Sequence, residues 1–470
     1  MVAEPHGRPD GLDIPADLLD VDPERMRELG YWVVDRTIEH LTSMGDRPAV
    51  STADHADLMR LLGGPLPLEP SSVEEGLVAL ADVALENQQH GDHPRYFARV
   101  PGPSSYAAIL GDWLAIGMQS IASSWGGGSG TSAVELVALE WLREGLGLPA
   151  GSEGILLSGG SMANITGLIT ARARLGEGVV YLTDQTHSSI ARGLTSMGQA
   201  PELIRVIETD ADFRLPPDRL RAAIEADLVA GRLPRVVIAT AGTTNTGAID
   251  DLPAISAIAR EHGMWLHVDG AYGGPAALSP GHNGIVGLEL ADSVVLDPHK
   301  WLFQPYDIAC LFVSEPGALY ESFAMHPEYL LDSQQGIVNF HNRGLELTRR
   351  SRAVKLWLTL RTYGMNTLVD AIDRGIALAE HAQRVIEAEP RFEVVTPAQL
   401  GIVTFTTVGS AADDNARIAA AVTANGFAAV STTALRGRTV LRLCTINPRT
   451  TPDDITRTVR MLAAELADPS

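Results

Sequence analysis

The stretch from about residue 91 to residue 364 alternates short β-branched or aliphatic runs with helical segments. This alternation predicts strand–helix–strand units in an α/β domain with a mostly parallel sheet. The predicted strands are residues 179–182, 203–207, 236–239, 265–268, 294–296 and 308–313. Parallel sheets bind ligands at the carboxyl ends of their strands, so the residues that follow each run are the first candidates for a functional site.

The residues before this stretch have a different pattern. Asp22 and Pro23 predict a helix start, with Asp22 as the N-cap and Pro23 in the first helical position. A proline-rich segment at 62–70 separates this helix from a second helical segment that ends near Asn87. This arm offers little core of its own, so we expect it to pack on something larger.

The last hundred residues combine both kinds of pattern. Residues 402–406 and 440–444 resemble strands, and residues 415–425 and 452–466 resemble helices. This mixture predicts a small α+β domain. The expected organisation is a helical N-terminal arm, a large α/β domain and a small C-terminal α+β domain, at residues 1–90, 91–375 and 376–470.

Composition excludes several classes of function. The formal net charge is −22 and no lysine- or arginine-rich run occurs, so the surface would repel nucleic acid and anionic membranes. No apolar run reaches the roughly 18 residues of a transmembrane helix, and residues 1–13 lack a signal-peptide core. The two cysteines, Cys310 and Cys444, imply no disulfide framework. We expect a cytoplasmic protein that acts on a small molecule without a metal ion.

A lysine and an aspartate each follow a predicted strand. Lys300 lies in Asp297-Pro298-His299-Lys300-Trp301, directly after residues 293–296. Such a lysine is either a solvated surface charge or an amine that forms a Schiff base with a carbonyl. Asp269, which ends another apolar run, is either a turn residue or a carboxylate that keeps a pyridine nitrogen protonated. The two together favour the chemistry of pyridoxal 5′-phosphate (PLP).

Three further loops could hold such a cofactor, and two of them follow predicted strands. Residues 157–164 (Leu-Ser-Gly-Gly-Ser-Met-Ala-Asn) precede a helical run and form either a phosphate-binding turn or a simple glycine turn. They are not a nucleotide P-loop, since no Gly-Lys-Ser/Thr follows. In residues 183–189, His187 could stack on a pyridine ring and contact the substrate carboxylate, although a lone histidine is more often structural. The threonine-rich residues 241–247 could hydrogen-bond the ring oxygen or the phosphate.

These five segments, in this order, resemble the fold-type I PLP enzymes, and most of all the group II amino-acid decarboxylases of the aromatic-L-amino-acid decarboxylase family. The resemblance extends from about Pro94 to Thr450. Its segments are His93-Pro94-Arg95-Tyr96-Phe97, Glu140-Trp141-Leu142, His267-Val268-Asp269, Asp297-Pro298-His299-Lys300-Trp301 and Lys355-Leu356-Trp357. The resemblance implies an obligate homodimer whose active sites are shared between subunits.

The resemblance also implies a role for each candidate residue. Lys300 would form the Schiff base, Asp269 would pair with the pyridine nitrogen, and His187 would stack on the ring. The other residues near the cofactor would be Gly160, Ser161, Thr243, Ala271, Asp297 and His299. The substrate amine would displace Lys300, CO2 would leave, and a proton would then be added to Cα of the resulting quinonoid.

The proton donor distinguishes the members of this family. Residues 325–336 are similar to its mobile catalytic loop, which excludes water when closed. Tyr329 lies where decarboxylases carry the tyrosine that protonates Cα, whereas aldehyde-forming relatives usually carry phenylalanine. Tyr329 therefore favours a plain decarboxylase, and the alternative is decarboxylation-dependent oxidative deamination to an aldehyde. The retained Lys300, Asp269, His187 and Tyr329 disfavour a cofactor-binding protein without chemistry, and their context disfavours a transaminase.

The side-chain pocket is the part of the site that the resemblance describes least. Its implied residues are Arg99, Val100, Pro101, Gly102, Ile121, Ser123 and Thr348, with Ile121 and Ser123 supplied by the partner subunit. Aromatic-specific relatives carry bulky aromatic residues in the first part of this set, where this chain has Arg99. An aromatic amino acid is the expected substrate, and Arg99 leaves an acidic or diamino acid as the alternative.

Overall fold

The computed structural model describes residues 18–279, 285–325, 337–409 and 413–467. The chain divides into two compact units. The first comprises Met1–Arg47 and Ser51–Gln88, and the second comprises Pro48–Val50 and Gln89–Ser470. Within the described ranges, no helix is both long enough and apolar enough to span a membrane.

The first unit is helical. It contains α1 (Pro23–Ser43), α2 (His55–Leu62), α3 (Val73–Ala79) and a π-helical turn (Leu80–Leu85). The start of α1 is as predicted: Oδ1 of Asp22 accepts the N–H of Glu24 at 2.9 Å, and Pro23 occupies the first position. None of the residues in α1, α2 and α3 is buried, so these helices have little core of their own.

The second unit is built on a seven-stranded sheet. Its strands are β1 (Glu153–Leu157), β2 (Val179–Thr183), β3 (Ile204–Ile207), β4 (Pro234–Thr240), β5 (Trp265–Asp269), β6 (Ser293–Leu296) and β7 (Ala309–Val313). Their order across the sheet is β1-β7-β6-β5-β4-β2-β3. All neighbouring pairs from β6 to β3 are parallel, and β7 runs antiparallel to both β6 and β1. The predicted α/β fold with a mostly parallel sheet is confirmed.

Each of the six predicted runs is a strand of this sheet. The seventh strand, β1, is missing from the prediction because Ile155 is its only β-branched residue. Every residue of β2, β5, β6 and β7 is buried. Since successive side chains of a strand point to opposite faces, the sheet is covered on both sides.

The helices of this unit come from the segments between and around the strands. They are α4 (Tyr106–Gly117), α5 (Trp125–Gly145), α6 (Gly160–Leu175), α7 (Ser188–Ser196), α8 (Pro217–Val229), α9 (Leu252–Glu261), α10 (Pro298–Trp301), α11 (Ala318–Phe323) and α12 (Ala353–Glu387). Helix α6 packs across β5, β6 and β7, and α12 packs against α4 and α5. Because α6 follows β1 directly, its first turn lies at the carboxyl edge of the sheet.

A second, smaller sheet follows α12. It contains β8 (Phe392–Gln399), β9 (Ile402–Thr407), β10 (Ser431–Leu435) and β11 (Arg438–Cys444), antiparallel in the order β10-β11-β9-β8, with helices α13 (Asp414–Asn425) and α14 (Pro452–Ala467). The predicted runs at 402–406 and 440–444 are β9 and β11. The sequence missed β8, whose Pro397 is tolerated because β8 lies at the edge of the sheet.

Candidate active site

Strands β1 to β6 all run in the same direction, so they end at one edge of the large sheet. The segments after β1, β2, β4, β5 and β6 meet there around a cavity of about 510 Å³. The lining residues are Ser158, Gly159, Gly160, Ser161, Met162, Asn164, Gln185, His187, Ser189, Thr240, Gly242, Thr244, Asp269, Ala271, Tyr272, Asp297, His299 and Lys300. Loops that are far apart in the sequence therefore share one site, as expected for the carboxyl edge of a parallel sheet.

Lys300 reaches this cavity from α10, just beyond the end of β6. Its Nζ lies 2.8 Å from Oδ2 of Asp297, a carboxylate that is only 3% exposed. The chain has only two lysines among its 36 basic residues, and the other, Lys355, is buried against Asp112 and the carbonyl of Pro305. Arginine cannot give up its proton to become a nucleophile. A lysine that lines a cavity in an arginine-rich chain indicates that a primary amine is required there, and this scarcity is a signal that the motifs alone do not use.

Asp269 is the last residue of β5 and is buried in the cavity wall. Its Oδ1 accepts the backbone N–H of Ala271 at 3.1 Å, and its Oδ2 accepts Nδ2 of Asn164 at 3.1 Å. These two bonds fix the orientation of the carboxylate. A carboxylate held in this way can pair with a protonated ring nitrogen.

The first turn of α6 forms the end of the cavity that follows β1. Its N-cap residue, Gly159, makes no side-chain capping bond, so the first amides of the helix remain available to an anion. A Cβ atom on Gly160 would lie 2.8 Å from Oδ2 of Asp297 and 3.1 Å from Cβ of Ala271. Only glycine fits there, and the exposed Ser161 adds a hydroxyl at the same end.

His299 lines the cavity beside Lys300. Its Nδ1 lies 2.6 Å from the carbonyl oxygen of Ile308. Because a carbonyl oxygen only accepts, Nδ1 carries the proton. Burial lowers the pKa of His299, against the opposing effect of the Asp297 charge, so the imidazole is neutral at pH 7.

His187 caps the start of α7. Its Nδ1 accepts the backbone N–H of Ser189 at 3.3 Å and lies 2.8 Å from Oγ of the same residue. Since Nδ1 accepts, the hydrogen of the ring is on Nε2. The ring itself is exposed to the cavity.

The remaining predicted residues lie elsewhere. Thr243 is buried next to the cavity rather than in its lining, and its Oγ1 lies 2.8 Å from Oγ1 of Thr246. Sequence reasoning gave no role to Asn164, Gln185 and Ser189, which line the cavity. All three lie inside the motifs that were identified, but their contacts depend on how the loops meet in space.

The residues proposed for the side-chain pocket do not line this cavity. Arg99 is exposed, whereas Pro101 and Ser123 are buried. Ile121 and Thr348 lie together at a separate cavity of about 340 Å³. Tyr329, the predicted proton donor, lies outside the described residues.

The residues of the 510 Å³ cavity fit pyridoxal 5′-phosphate. The uncapped first turn of α6 suits the phosphate, and the cradle at Gly160 admits a group that a side chain would exclude. Asp269 supplies a carboxylate for the pyridine nitrogen, and Lys300 supplies the amine for the aldehyde carbon. Each functional group of the cofactor therefore has a chemically matched partner.

Comparison with known proteins points in the same direction. The model of the pyridoxal-dependent decarboxylase conserved domain matches residues 56–408. An aromatic-L-amino-acid decarboxylase of Bacillus atrophaeus is 41% identical over 468 residues, which cover 96% of this chain and 98% of the relative. A phenylacetaldehyde synthase of Arabidopsis thaliana is 32% identical over 452 residues, which cover 90% of this chain and 92% of the relative.

The fold is shared with solved structures. The crystal structure of Oryza sativa TDC with PLP and tryptamine superimposes with a TM-score of 0.91 at 28% sequence identity, over 95% of this chain and 99% of that chain. The similarity therefore extends over all but a few per cent of both chains.

Proposed function

Because this chain belongs to the family of pyridoxal-dependent decarboxylases, we propose that it converts an aromatic L-amino acid to the corresponding amine and CO2. It is a PLP-dependent amino-acid decarboxylase. One observation carries the proposal: Lys300 and Asp269, the two groups that PLP chemistry requires, line the same cavity. The aromatic class of substrate rests on the likeness to the Bacillus relative.

Each group at the cavity has a task in this reaction. Bound PLP supplies an electron sink for the electrons that remain when the substrate carboxylate departs. Lys300 would hold the cofactor at its aldehyde carbon, and Asp269 would hold a proton on the ring nitrogen. Gly160, Ser161 and His299 line the cavity and would hold the phosphate, and Asp297 positions Lys300 through the 2.8 Å contact.

The substrate is oriented between the cofactor and the protein. His187 would stack on one ring face, with its Nε2–H available to the substrate carboxylate, while Ala271 would pack on the other face and Thr243 would lie near the ring. Tyr329 returns a proton to Cα after CO2 has left. The exposure of the His187 ring to the cavity supports this orientation.

The functional unit in this proposal is a homodimer. Residues 1–90 form the dimerisation arm of each subunit, residues 91–375 form the PLP-binding domain, and residues 376–470 form the small domain. In support, α1 to α3 bury no residue, and α4 exposes 42% of Leu110 and 57% of Leu114. A second subunit would cover these apolar surfaces.

The substrate pocket is then completed across the dimer. The residues proposed for it are Arg99, Pro101, Ile121, Ser123 and Thr348, none of which lines the cavity of a single chain. Ile121 and Ser123 come from the partner subunit in this arrangement. The unpaired state of Cys310 and Cys444 suits a reducing compartment, so we place the enzyme in the cytosol.

The deciding experiment is a substrate screen of the purified, PLP-loaded enzyme. Standard amino acids, DOPA, 5-hydroxytryptophan, ornithine and 2,4-diaminobutyrate are incubated separately, and amine, aldehyde and peroxide are measured in the same wells. Amine from an aromatic acid without peroxide is the expected result. Amine from acidic or diamino acids alone would overturn the aromatic assignment, and Arg99→Ala would then test whether Arg99 selects them.

The attachment of the cofactor can be tested independently. Borohydride reduction of the loaded enzyme, followed by proteolysis and mass spectrometry, should place the pyridoxyl group on Lys300. Lys355, the only other lysine of the chain, is the internal control because it is 1% exposed and bonded to Asp112. A label on Lys355, or none on either lysine, would contradict the proposed role of Lys300.

A second candidate function is oxidative deamination to an aldehyde. The likeness to the phenylacetaldehyde synthase of Arabidopsis thaliana favours it, and Tyr329 favours the amine product instead. Stoichiometric peroxide and ammonia in the same screen would identify this second function.

A further inference from the structure

Behind Asp269 lies a chain of buried polar side chains that the proposed function leaves without a task. Nδ2 of Asn164 donates to Oδ2 of Asp269 at 3.1 Å, and Oδ1 of Asn164 lies 3.0 Å from Nε2 of His267. Nδ1 of His267 lies 2.7 Å from Oγ of Ser293, which accepts Nε1–H of Trp265 at 2.7 Å. All five side chains are at least 95% buried.

The direction of every bond in this chain follows from the carboxylate of Asp269, which can only accept. The amide nitrogen of Asn164 therefore faces Asp269, and Oδ1 of Asn164 accepts Nε2–H of His267. In the neutral imidazole Nδ1 then accepts the hydroxyl hydrogen of Ser293, whose oxygen accepts Nε1–H of Trp265. The three side chains beyond Asn164 are thus consistent with only one orientation of its amide.

Asn164 also reaches the second functional group of the cavity. Its Nδ2 lies 3.4 Å from Oγ of Ser189, and that hydroxyl lies 2.8 Å from Nδ1 of His187. With one amide hydrogen on Asp269 and the other on Ser189, the hydroxyl of Ser189 is free to donate to Nδ1 of His187. The ring hydrogen of His187 is thereby kept on Nε2, because Nδ1 accepts from Ser189 at the start of α7.

Two observations indicate that His267 is held neutral and in place. Burial lowers the pKa of His267 to about 4, against the opposing effect of the Asp269 charge. A Cβ atom on Gly167 would lie 2.9 Å from Cε1 of the imidazole, so the ring lies directly against α6 where only glycine leaves it room.

We propose that Asn164, oriented by His267, Ser293 and Trp265, is a positioning residue that presents Asp269 to the cofactor nitrogen as an acceptor and His187 as an Nε2–H donor. We call His267, Ser293 and Trp265 the relay. The inference rests on the proposed function, because it assigns the relay to the PLP site. It predicts that the relay controls the proton on the ring nitrogen without touching the cofactor.

The test compares His267→Phe and Ser293→Ala with the wild-type enzyme. Removing the relay frees Asn164 to rotate, so Asp269 loses the hydrogen bond that orients it. The loss of one such bond should weaken cofactor binding about tenfold. We expect the PLP dissociation constant to rise about tenfold in His267→Phe and less in Ser293→Ala. The ring nitrogen of the bound cofactor should lose its proton about one pH unit lower than in the wild type, which is a tenfold change in proton affinity. The visible absorbance of the cofactor, followed against pH, measures this midpoint.

The control is His381→Phe, which removes a histidine that contacts Pro452 and Thr456 at a distance from the cavity. A merely structural relay would lower the melting temperature and leave both the PLP dissociation constant and the pH midpoint at the wild-type values, which would overturn the inference. If His267→Phe does not fold, Ser293→Ala decides. Failure of the proposed function is separate: the wild type would then show no cofactor absorbance, or Lys300→Ala would retain it.

Discussion

Gly160 and Asp297 face each other so closely that a Cβ atom on Gly160 would lie 2.8 Å from Oδ2 of Asp297. The same oxygen lies 2.8 Å from Nζ of Lys300. The carboxylate of Asp297 therefore lies between the start of α6, which is proposed to bind the phosphate, and Lys300, which is proposed to bind the aldehyde. Any side chain on Gly160 would disturb both ends of the cofactor site together.

The substitution Gly160→Ala should therefore weaken PLP binding. We expect the PLP dissociation constant to rise about tenfold or more, because a forced shift of Asp297 carries Lys300 with it, and such overpacking costs about 1–3 kcal/mol. Titration of the apoenzyme with PLP, followed by visible absorbance, measures the effect. Gly76→Ala is the matched control, since an added Cβ there meets nothing within 4 Å. An unchanged dissociation constant in Gly160→Ala would show that the close approach has no functional importance.

Much of this architecture follows from local sequence patterns. The strands β2 and β4 to β7 are short, largely buried runs rich in β-branched and aliphatic residues, so they can be identified without knowledge of their neighbours. Strand β10 (Ser-Thr-Thr-Ala-Leu) carries no such pattern. It is a strand because β11 supplies its backbone partners, and pairing between segments is not visible in either sequence alone.

The candidate site shows the same division. Lys300 and Asp269 could be predicted because each follows a strand and has a recognisable neighbourhood. Asn164 could not, because its role depends on His267, 103 residues away in the chain. At the threonine-rich loop the sequence identifies the segment but not the lining residues: Thr243 is buried, whereas Gly242 and Thr244 line the cavity.

Acid should destabilise the fold through His267. Its pKa is about 4 in the folded chain, below the ordinary value of about 6.5, so only the unfolded chain binds this proton between those values. The stability that depends on neutral His267 is complete above pH 6.5 and is lost as the pH falls toward 4. The loss is about 3 kcal/mol, because each unit of pKa difference corresponds to about 1.4 kcal/mol. The free energy of unfolding in urea is measured for the wild type and for His267→Phe at pH 7 and at pH 4. Between these pH values the wild type should lose about 3 kcal/mol more than the variant.

The comparison needs a variant that is destabilised without losing a titrating group. Leu266→Ala removes a buried neighbour of His267 in β5, and its deficit relative to the wild type should be the same at both values of pH. A gap between wild type and His267→Phe that stays constant from pH 7 to pH 4 would contradict the assignment of this titration to His267.

A fully buried ion pair joins the segments that carry the proposed substrate-pocket residues. Arg349 and Glu135 are both 0% exposed and lie 2.8 Å apart, and the backbone N–H of Arg349 donates to Oγ of Ser123 at 3.0 Å. Removing one partner leaves a buried charge without compensation, which costs about 3–5 kcal/mol. We therefore expect Glu135→Ala to lower the free energy of unfolding by that amount.

Two controls separate the charge from the packing. Glu140→Ala breaks the exposed pair with Arg143 and should cost less than about 1 kcal/mol. The double variant Glu135→Leu/Arg349→Met removes both charges and should recover most of the loss. If the double variant is as unstable as Glu135→Ala, the hydrogen bonds of Arg349 to the backbone, rather than the charge balance, hold this region together.

Tyr329→Phe should change the product rather than only the rate. If Tyr329 is the general acid that protonates Cα, as proposed, removing its hydroxyl should lower the rate of amine formation about 100-fold. The electron-rich carbon left by CO2 loss can then be oxidised by O2. The overall reaction takes one amino acid, one O2 and one water, and gives one aldehyde, CO2, ammonia and hydrogen peroxide.

The measurement is the ratio of peroxide to amine from the best substrate of the screen, in air and under argon. Tyr329→Phe should produce peroxide and aldehyde in equal amounts in air, and both should disappear under argon because O2 is the oxidant. Tyr363→Phe is the control, since this tyrosine is 39% exposed on α12 and should leave the product unchanged. If Tyr329→Phe makes amine at the wild-type rate without peroxide, another group returns the proton, and the choice between amine and aldehyde must be sought among the residues that line the cavity.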